Sequence, residues 1–315
     1  MKSNRQFEFS EAKRSHVPLL ISLIGGSFSG KTYSAYRLAS GIARVNGGRI
    51  VFIDTEGNRA LHYAEDFSAI HAPFLPPYGS LDYMAAIDQA ITLRPAVIIV
   101  DNFTHEHEGP GGYLDLAELE AESGKNSMQK WSKPQRARSL LRARLQTLPV
   151  PLICCFQADE KLDWKGVVKK TAKEPEPMGE TLAGSQKFAR EMTIRILLRT
   201  GCNGVPTWKS ELSGEIKSIK LPKQFVQHFS GPPRQITEAD GEALARWANG
   251  ESLEKPKRSE ASQRLLQAMA DAKTLEALAK VSEAIAEDQT LSAEDTQFLT
   301  AQAKRRDAQL KGNAA

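Results

Sequence analysis

The chain has 315 residues, 41% of them apolar and 25% charged, with a formal net charge of +4 and three cysteines. That composition excludes a disordered chain, and no apolar run approaches the ~18 residues that a membrane-spanning helix needs. Met1 to Arg14 lacks the apolar core of a secretory signal, and Cys154 and Cys155 are adjacent inside an apolar run, so the expectation is a cytoplasmic protein without a disulfide framework.

Val17 to Ile24 is a short apolar run that ends at Gly25, the pattern of a strand buried on both faces. Helix formers follow from Lys31 to Arg44 and stop at the Gly47-Gly48 turn. Arg49 to Asp54 predicts a second strand. Leu81, Met84, Ile87 and Ile91 predict a helix over 81–93, and Ala96 to Asp101 a third buried strand that closes on an acid. A long polar stretch, His105 to Lys133, is expected to be loop. Pro134 to Leu148 predicts a helix with Arg138 and Arg142 on one face and Leu141, Leu145 and Leu148 on the other. Pro151 to Gln157 is the fourth predicted strand. A second polar stretch, 158–185, is rich in Lys, Pro and Gly and is also expected to be loop. Met192 to Leu198 is the fifth strand, 203–230 short strands and turns, and Thr237 to Asn249 a helix with Thr237 as N-cap and Gly250 past its end.

Strands alternating with helices predict an α/β fold, a mainly parallel sheet flanked by helices. Both long stretches follow strand ends, where such sheets contact ligands. The expected organisation is an N-terminal extension (1–16), one α/β domain (17–250), a linker (251–259) and a C-terminal helical region (260–315), the last on the helical spacing of Leu265, Met269, Leu275, Leu278, Val281 and Ile285. Charge is uneven. Residues 101–123 carry −7 and residues 125–173 carry +9. The basic block either faces a phosphate backbone or is a solvated surface.

Residues 25–32 read Gly25, Gly26, Ser27, Phe28, Ser29, Gly30, Lys31, Thr32 at a predicted strand-to-helix turn. This meets Gly-x4-Gly-Lys-[Ser/Thr], the phosphate-binding P-loop. Glycines let main-chain N–H groups turn inward around a phosphate, and the helix adds its positive end. Lys31 would neutralise the β- and γ-phosphates, and the Thr32 hydroxyl would ligate Mg²⁺. Asp101, closing a buried strand, is placed to share that Mg²⁺ or else caps the next turn. Glu56, two residues past a strand end, either orients an attacking water, caps a helix starting near Gly57 or pairs with Arg59. His105-Glu106-His107-Glu108 lacks further spaced ligands and reads as a polar loop rather than a metal site.

On these residues the chain resembles the RecA family, in particular the RecA-like ATPases of bacteriophages that act in recombination. The resemblance spans residues 17–200 and rests on four blocks in order: the P-loop, Ile53-Asp54-Thr55-Glu56, the strand ending at Asp101, and Leu152 to Gln157. It implies a RecA-like P-loop core that binds and hydrolyses ATP with Mg²⁺. Lys31, Glu56 and Gln157 would be catalytic, with Glu56 polarising the attacking water and Gln157 sensing the γ-phosphate. It also implies a ring or filament of identical subunits with a basic residue donated in trans, for which Arg195, Arg199, Lys217 and Lys220 are candidates. Single-stranded DNA would be contacted through 161–173, where Trp164 lies among five lysines, and through Arg136, Arg138, Arg142 and Arg144. Two other functions stay open: a nucleotide-dependent assembly or loader switch without DNA, to which the acidic 101–123 segment is suited, and a small-molecule phosphotransferase with a Lys-rich lid. No base-reading motif separates ATP from GTP.

Overall fold

A computed structural model describes residues 11, 17, 19–163, 176–182, 186–208, 220–226, 228–229, 232–251, 260–272, 274–288, 290–291 and 293–312. Among the described residues seven strands form: β1 (Leu20–Gly25), β2 (Ile50–Asp54), β3 (Ala69–Pro73), β4 (Val97–Asp101), β5 (Leu152–Asp163), β6 (Glu176–Leu182) and β7 (Ile194–Leu197). Six of them make a parallel sheet in the order β3-β2-β4-β5-β1-β7, and β6 pairs antiparallel with the outer half of β5. The fold is α/β. β1 and β4 are therefore not neighbours, because β5 lies between them.

Helices α1 (Lys31–Asn46), α2 (Ser80–Thr92), α3 (His105–Glu108), α4 (Tyr113–Glu122), α5 (Ser132–Leu145), α6 (Gln186–Glu191), α7 (Lys223–Val226) and α8 (Glu238–Ala248) accompany the sheet. Alternate strand residues face opposite sides of a sheet. Val51, Ile53, Ile98, Val100, Leu152, Cys154 and Phe156 pack with Tyr83 and Ile87 of α2 and Leu141 and Leu145 of α5 on one face. On the other face Phe52 stacks on Tyr36 of α1, with ring centroids 4.9 Å apart. Cys154 and Cys155 are free thiols fully buried on opposite sides of β5, and burial pushes both thiols well up.

The helix that carries Lys31 and Thr32 is laid directly on α8. A Cβ added at Gly41 would lie 1.9 Å from the Glu238 carbonyl oxygen, and one added at Gly241 would lie 2.1 Å from that of Leu38. Arg37 locks the crossing with a two-pronged pair to Glu238 (3.0 and 2.7 Å), and Arg44 reaches Glu242 at 3.1 Å. The start of α8 is fixed by Asp240, whose carboxylate accepts the Thr237 main-chain N–H at 2.7 Å. Gly241→Ala is expected to cost about 3 kcal/mol, because the obstacle is backbone that has no rotamer to yield. A melting temperature on the order of 10 °C lower would register it. An unchanged melting temperature would contradict the close approach.

Two sequence expectations change. Residues 105–133 are not plain loop, since α3, α4 and a 3-10 turn at Gln129–Trp131 occupy them. Residues 158–163 and 176–182 form an antiparallel ribbon that continues β5 past the sheet. Strand β3 was not anticipated.

The chain divides into two compact units, one of Met1–Phe225 with Gln235–Ser252, the other of Val226–Arg234 with Leu253–Ala315. In the second, α9 (Glu260–Asp271), α10 (Leu275–Glu287) and α11 (Ala293–Gly312) gather Met269, Leu278, Ile285 and Leu299 into a small core of their own. The Thr274 hydroxyl caps α10 by accepting from the Ala277 N–H at 3.2 Å. The expected linker at 251–259 lies outside the described residues from 252 onward. Among the described residues no helix is long and apolar enough to cross a membrane.

Candidate functional site

The site lies at the carboxyl ends of four adjacent strands, where open parallel sheets leave a crevice. β1 ends at Gly25, beside Gln157 of β5 in register, and β2 and β4 end with Asp54 opposite Asp101. Residues 26–30 turn out of β1 into α1. Gly30 takes φ 86, a left-handed angle that glycine adopts without strain. Phe28, at φ 59, leaves its ring 95% exposed at the tip of the turn, whereas Ser29 is buried.

This turn is backed by residues 198–204, to which the sequence analysis gave no part in the phosphate site. The Gly204 N–H donates to the Ser29 carbonyl oxygen (2.9 Å), and the Cys202 thiol reaches the same oxygen at 3.4 Å. A Cβ on Gly25 would meet the Leu198 carbonyl at 1.9 Å, one on Gly26 the Thr200 hydroxyl at 2.3 Å, and one on Gly30 the Gly204 nitrogen at 2.7 Å. The first and second glycines thus keep the loop pressed onto the end of β7. The available signal was Gly201-Cys202-Asn203-Gly204, a turn cluster directly after a strand.

Lys31 bends back over the loop and donates to the Gly26 carbonyl at 2.6 Å. Thr32, in the first turn of α1, donates its hydroxyl proton to Asp101 Oδ2 at 2.5 Å. The contact spans the intervening strand β5. Burial, opposed by the Thr32 hydrogen bond and reinforced by Glu56, raises the Asp101 carboxyl to about 6. Burial first, then Asp54 and Asp101, push the Tyr36 phenol up to about 12. Burial is the chief cause of both displacements, and the neighbouring acids add to it.

Asp54 organises the next turn. Its Oδ1 accepts the Glu56 N–H (2.7 Å), its Oδ2 accepts the Ala60 N–H (3.2 Å), and His71 Nε2 lies 3.0 Å from Oδ2. Glu56 is held against the end of β4. Its Oε1 accepts from Asn102 Nδ2 at 3.0 Å, and its Oε2 pairs with Arg59 at 3.2 Å. The pairing with Arg59, the alternative to a catalytic role, is therefore present, alongside the contact with Asn102 next to Asp101. Gln157 is fixed through its main chain, whose N–H donates to Thr104 Oγ1 at 2.8 Å. β5 puts it between the loop at Gly25 and Asp101.

No family model matches the chain, and no curated protein matches it. A solved structure that it matches is the KaiC-like protein PH0186 from the hyperthermophilic archaeon Pyrococcus horikoshii OT3, with 15% identity over 59% of this chain and 79% of that one. The TM-score is 0.32, too loose a superposition to say anything about activity.

The basic helix α5 departs from expectation. Arg138 is buried and forks onto Glu106 at 3.1 and 2.5 Å, with its guanidinium 3.6 Å from the Tyr113 ring centroid. Ser80 completes the network by donating to Glu106. Burial pushes the Glu106 carboxyl up, and the hydrogen bonds from Arg138 and Ser80 pull it down. Arg142 is tied to Glu191 and Arg144 to Asp88. Of the four arginines assigned to a DNA face, Arg138 is removed from it by burial, and Arg142 and Arg144 are engaged by acids. Arg136 is exposed. The His-Glu-His-Glu run does not converge either: Glu106 and His107 turn to Arg138, and His105 turns to Thr55. Burial and Arg138 lower the His107 imidazole to about 4.

Arg138→Met is expected to destabilise by about 3–5 kcal/mol, because it strands a buried carboxylate, whereas Glu106→Gln with Arg138→Met should cost less. Urea melts of the single and double variants give the comparison. A double variant as unstable as the sum of its parts would contradict it.

The loop assigned to DNA, 161–173, falls outside the described residues from 164 onward, so Trp164, Lys165, Lys169, Lys170 and Lys173 do too. Among the candidates for a residue acting in trans, Lys220 donates to the Met192 carbonyl at 3.1 Å, and Arg195 bridges to Lys220 through the main chain. Burial, with Arg190 nearby, pulls the Arg195 guanidinium down. Lys217 lies outside the described residues.

Proposed function

We propose that this chain is a RecA-like P-loop ATPase that binds ATP with Mg²⁺ and hydrolyses it at the crevice above β1, β5, β4 and β2. The observation that carries this reading is the Thr32–Asp101 hydrogen bond reaching across β5, with Glu56 on the adjoining strand end. In this reading the main chain of 25–30 cradles the phosphates, and the exposed Phe28 contributes through its main chain alone. Lys31 leaves the Gly26 carbonyl for the β- and γ-phosphates. The donor set suits a divalent cation, because Asp101 is a buried acid held above its ordinary range beside two further acids. Thr32 and Asp101 would hold Mg²⁺, which neutralises charge on the phosphate oxygens. Glu56 takes up a proton of the water that attacks the γ-phosphorus, and Gln157 lies where the γ-phosphate can be read out.

The same reading extends to a ring or filament of identical subunits acting on single-stranded DNA in phage recombination or replication. Support for DNA rests on the lysines of 161–173 and on Arg136. A second reading, a nucleotide-driven assembly switch without DNA, is favoured by the ion pairs that occupy Arg138, Arg142 and Arg144. Phosphate release measured with and without single-stranded DNA, over a salt series, decides between them. The DNA reading expects stimulated hydrolysis and an affinity that falls steeply with salt. Hydrolysis indifferent to DNA at low salt leaves the switch.

A further inference from the structure

The helical turn after Asp101 sets a second titratable side chain against Glu56. His105, the first residue of α3, has Nδ1 2.9 Å from Thr55 Oγ1 and Nε2 4.0 Å from Glu56 Oε1. Its ring packs on Tyr78, with centroids 5.0 Å apart. Thr55 is itself immobilised: its hydroxyl donates to the Asn102 carbonyl (3.0 Å) and accepts the Asn102 N–H (2.7 Å). The imidazole is therefore gripped at one nitrogen and on one face, and its other nitrogen lies 4.0 Å from the carboxylate.

We propose that His105 is a positioning residue for Glu56: it steers the carboxylate and, by gaining or losing a proton at Nε2, decides whether Glu56 is available as a base. The proposal rests on Glu56 having that role. With a neutral imidazole, Oε1 receives one strong donor, Asn102 Nδ2, and keeps a lone pair for a proton from water. With an imidazolium, the positive charge at Nε2 attracts the same oxygen from 4.0 Å, and the carboxylate is drawn from both sides. Imidazole is the side chain that changes charge between about pH 5 and 8.

The groups facing this ring come from several segments. The charged groups nearest it are Glu56, from the turn after β2, and Arg59, which is paired with Glu56. Tyr78 covers one ring face and Thr55 closes the Nδ1 side. From its own helix, Glu106 is turned inward to Arg138 and does not compete. Asp54 and Asp101 are the further acids next to Glu56. His105 is 27% exposed in its side chain, so protons reach it from solvent.

The experiment measures ATP hydrolysis at saturating magnesium and nucleotide from pH 5.5 to 8.5, with binding of a fluorescent ATP analogue in parallel, for the unaltered protein, His105→Gln and His105→Asn. Glutamine reaches the Nε2 position without titrating, and asparagine reaches only Thr55. The expected result is an acid limb in kcat that flattens in His105→Gln, which keeps its alkaline kcat within about threefold. His105→Asn is expected to lose about tenfold in kcat at every pH with analogue binding intact. Asp101 also titrates toward acid pH, and its effect appears in KM and in analogue binding rather than in kcat at saturation. Identical kcat profiles for all three proteins overturn the proposal. Loss of analogue binding in both variants overturns it as well, since His105 would then serve the fold. Full activity in Glu56→Gln overturns the assignment of Glu56 instead, whatever the His105 variants do.

Discussion

Glu56→Gln is expected to bind ATP and Mg²⁺ with unaltered affinity and to turn ATP over at least 100-fold more slowly, which is the lower end of what a positioned general base supplies. The substitution is nearly isosteric. The amide oxygen still accepts from Asn102 Nδ2, so the turn built on Asp54 stays in place. What disappears is the negative charge that takes the proton of the attacking water. Lys31→Ala should differ in kind, losing nucleotide affinity and turnover together, because the cation that meets the phosphates is gone. Single-turnover hydrolysis and equilibrium binding of the two variants separate the effects. A Glu56→Gln protein as active as the unaltered chain would remove Glu56 from the reaction.

Asp101→Asn should make the ligand-free protein more stable while it abolishes hydrolysis. The Asp101 carboxyl is raised to about 6 chiefly by burial, so the folded state holds its proton more tightly than the unfolded chain does. For an acid with a raised folded value, no penalty exists below the unfolded pKa. The penalty grows as pH rises from about 4 and is complete above about 6.5. Two pKa units correspond to roughly 3 kcal/mol at pH 7.5, an upper figure for what asparagine removes. Asparagine keeps a carbonyl oxygen for Thr32. The expected readout is a melting temperature several degrees higher at pH 7.5, with about a third of that difference left at pH 4.5. Magnesium with nucleotide should stabilise the unaltered protein more at pH 7.5 than at pH 5.5, and the variant hardly at all. A lower melting temperature for Asp101→Asn at pH 7.5 would contradict the raised acid.

The strands β1, β2, β4 and the inner half of β5 were legible because they are buried on both faces, and double burial writes itself as a mostly apolar run; β7 was legible although the half-buried Arg195 interrupts it. Strand β3 escaped because Ala69-Ile70-His71-Ala72-Pro73 is a half-exposed edge with neither a run nor a clean alternation. The outer half of β5 escaped for a related reason: an antiparallel ribbon of Asp, Glu, Lys and Thr is held by main-chain hydrogen bonds that leave no mark in hydrophobicity. At the candidate site, Gly25 to Thr32 and Asp101 were chosen from type and spacing, and Glu56 from its strand-end position and the resemblance. The partners that fix them were not. Asn102 meets Glu56 across 46 positions, and Arg138 meets Glu106 across 32. The basic helix misled because composition counts arginines without showing which are already spoken for.

The crossing of α1 over α8 has a consequence for how this sequence can vary. Side chains that touch can trade volume, so a large residue on one side is often rescued by a small one opposite. Gly41 and Gly241 each face a carbonyl oxygen of the other helix, and a carbonyl is common to every amino acid. No second-site change can make room. A library randomised at both positions and selected for folding should return glycine twice, with no compensating pairs.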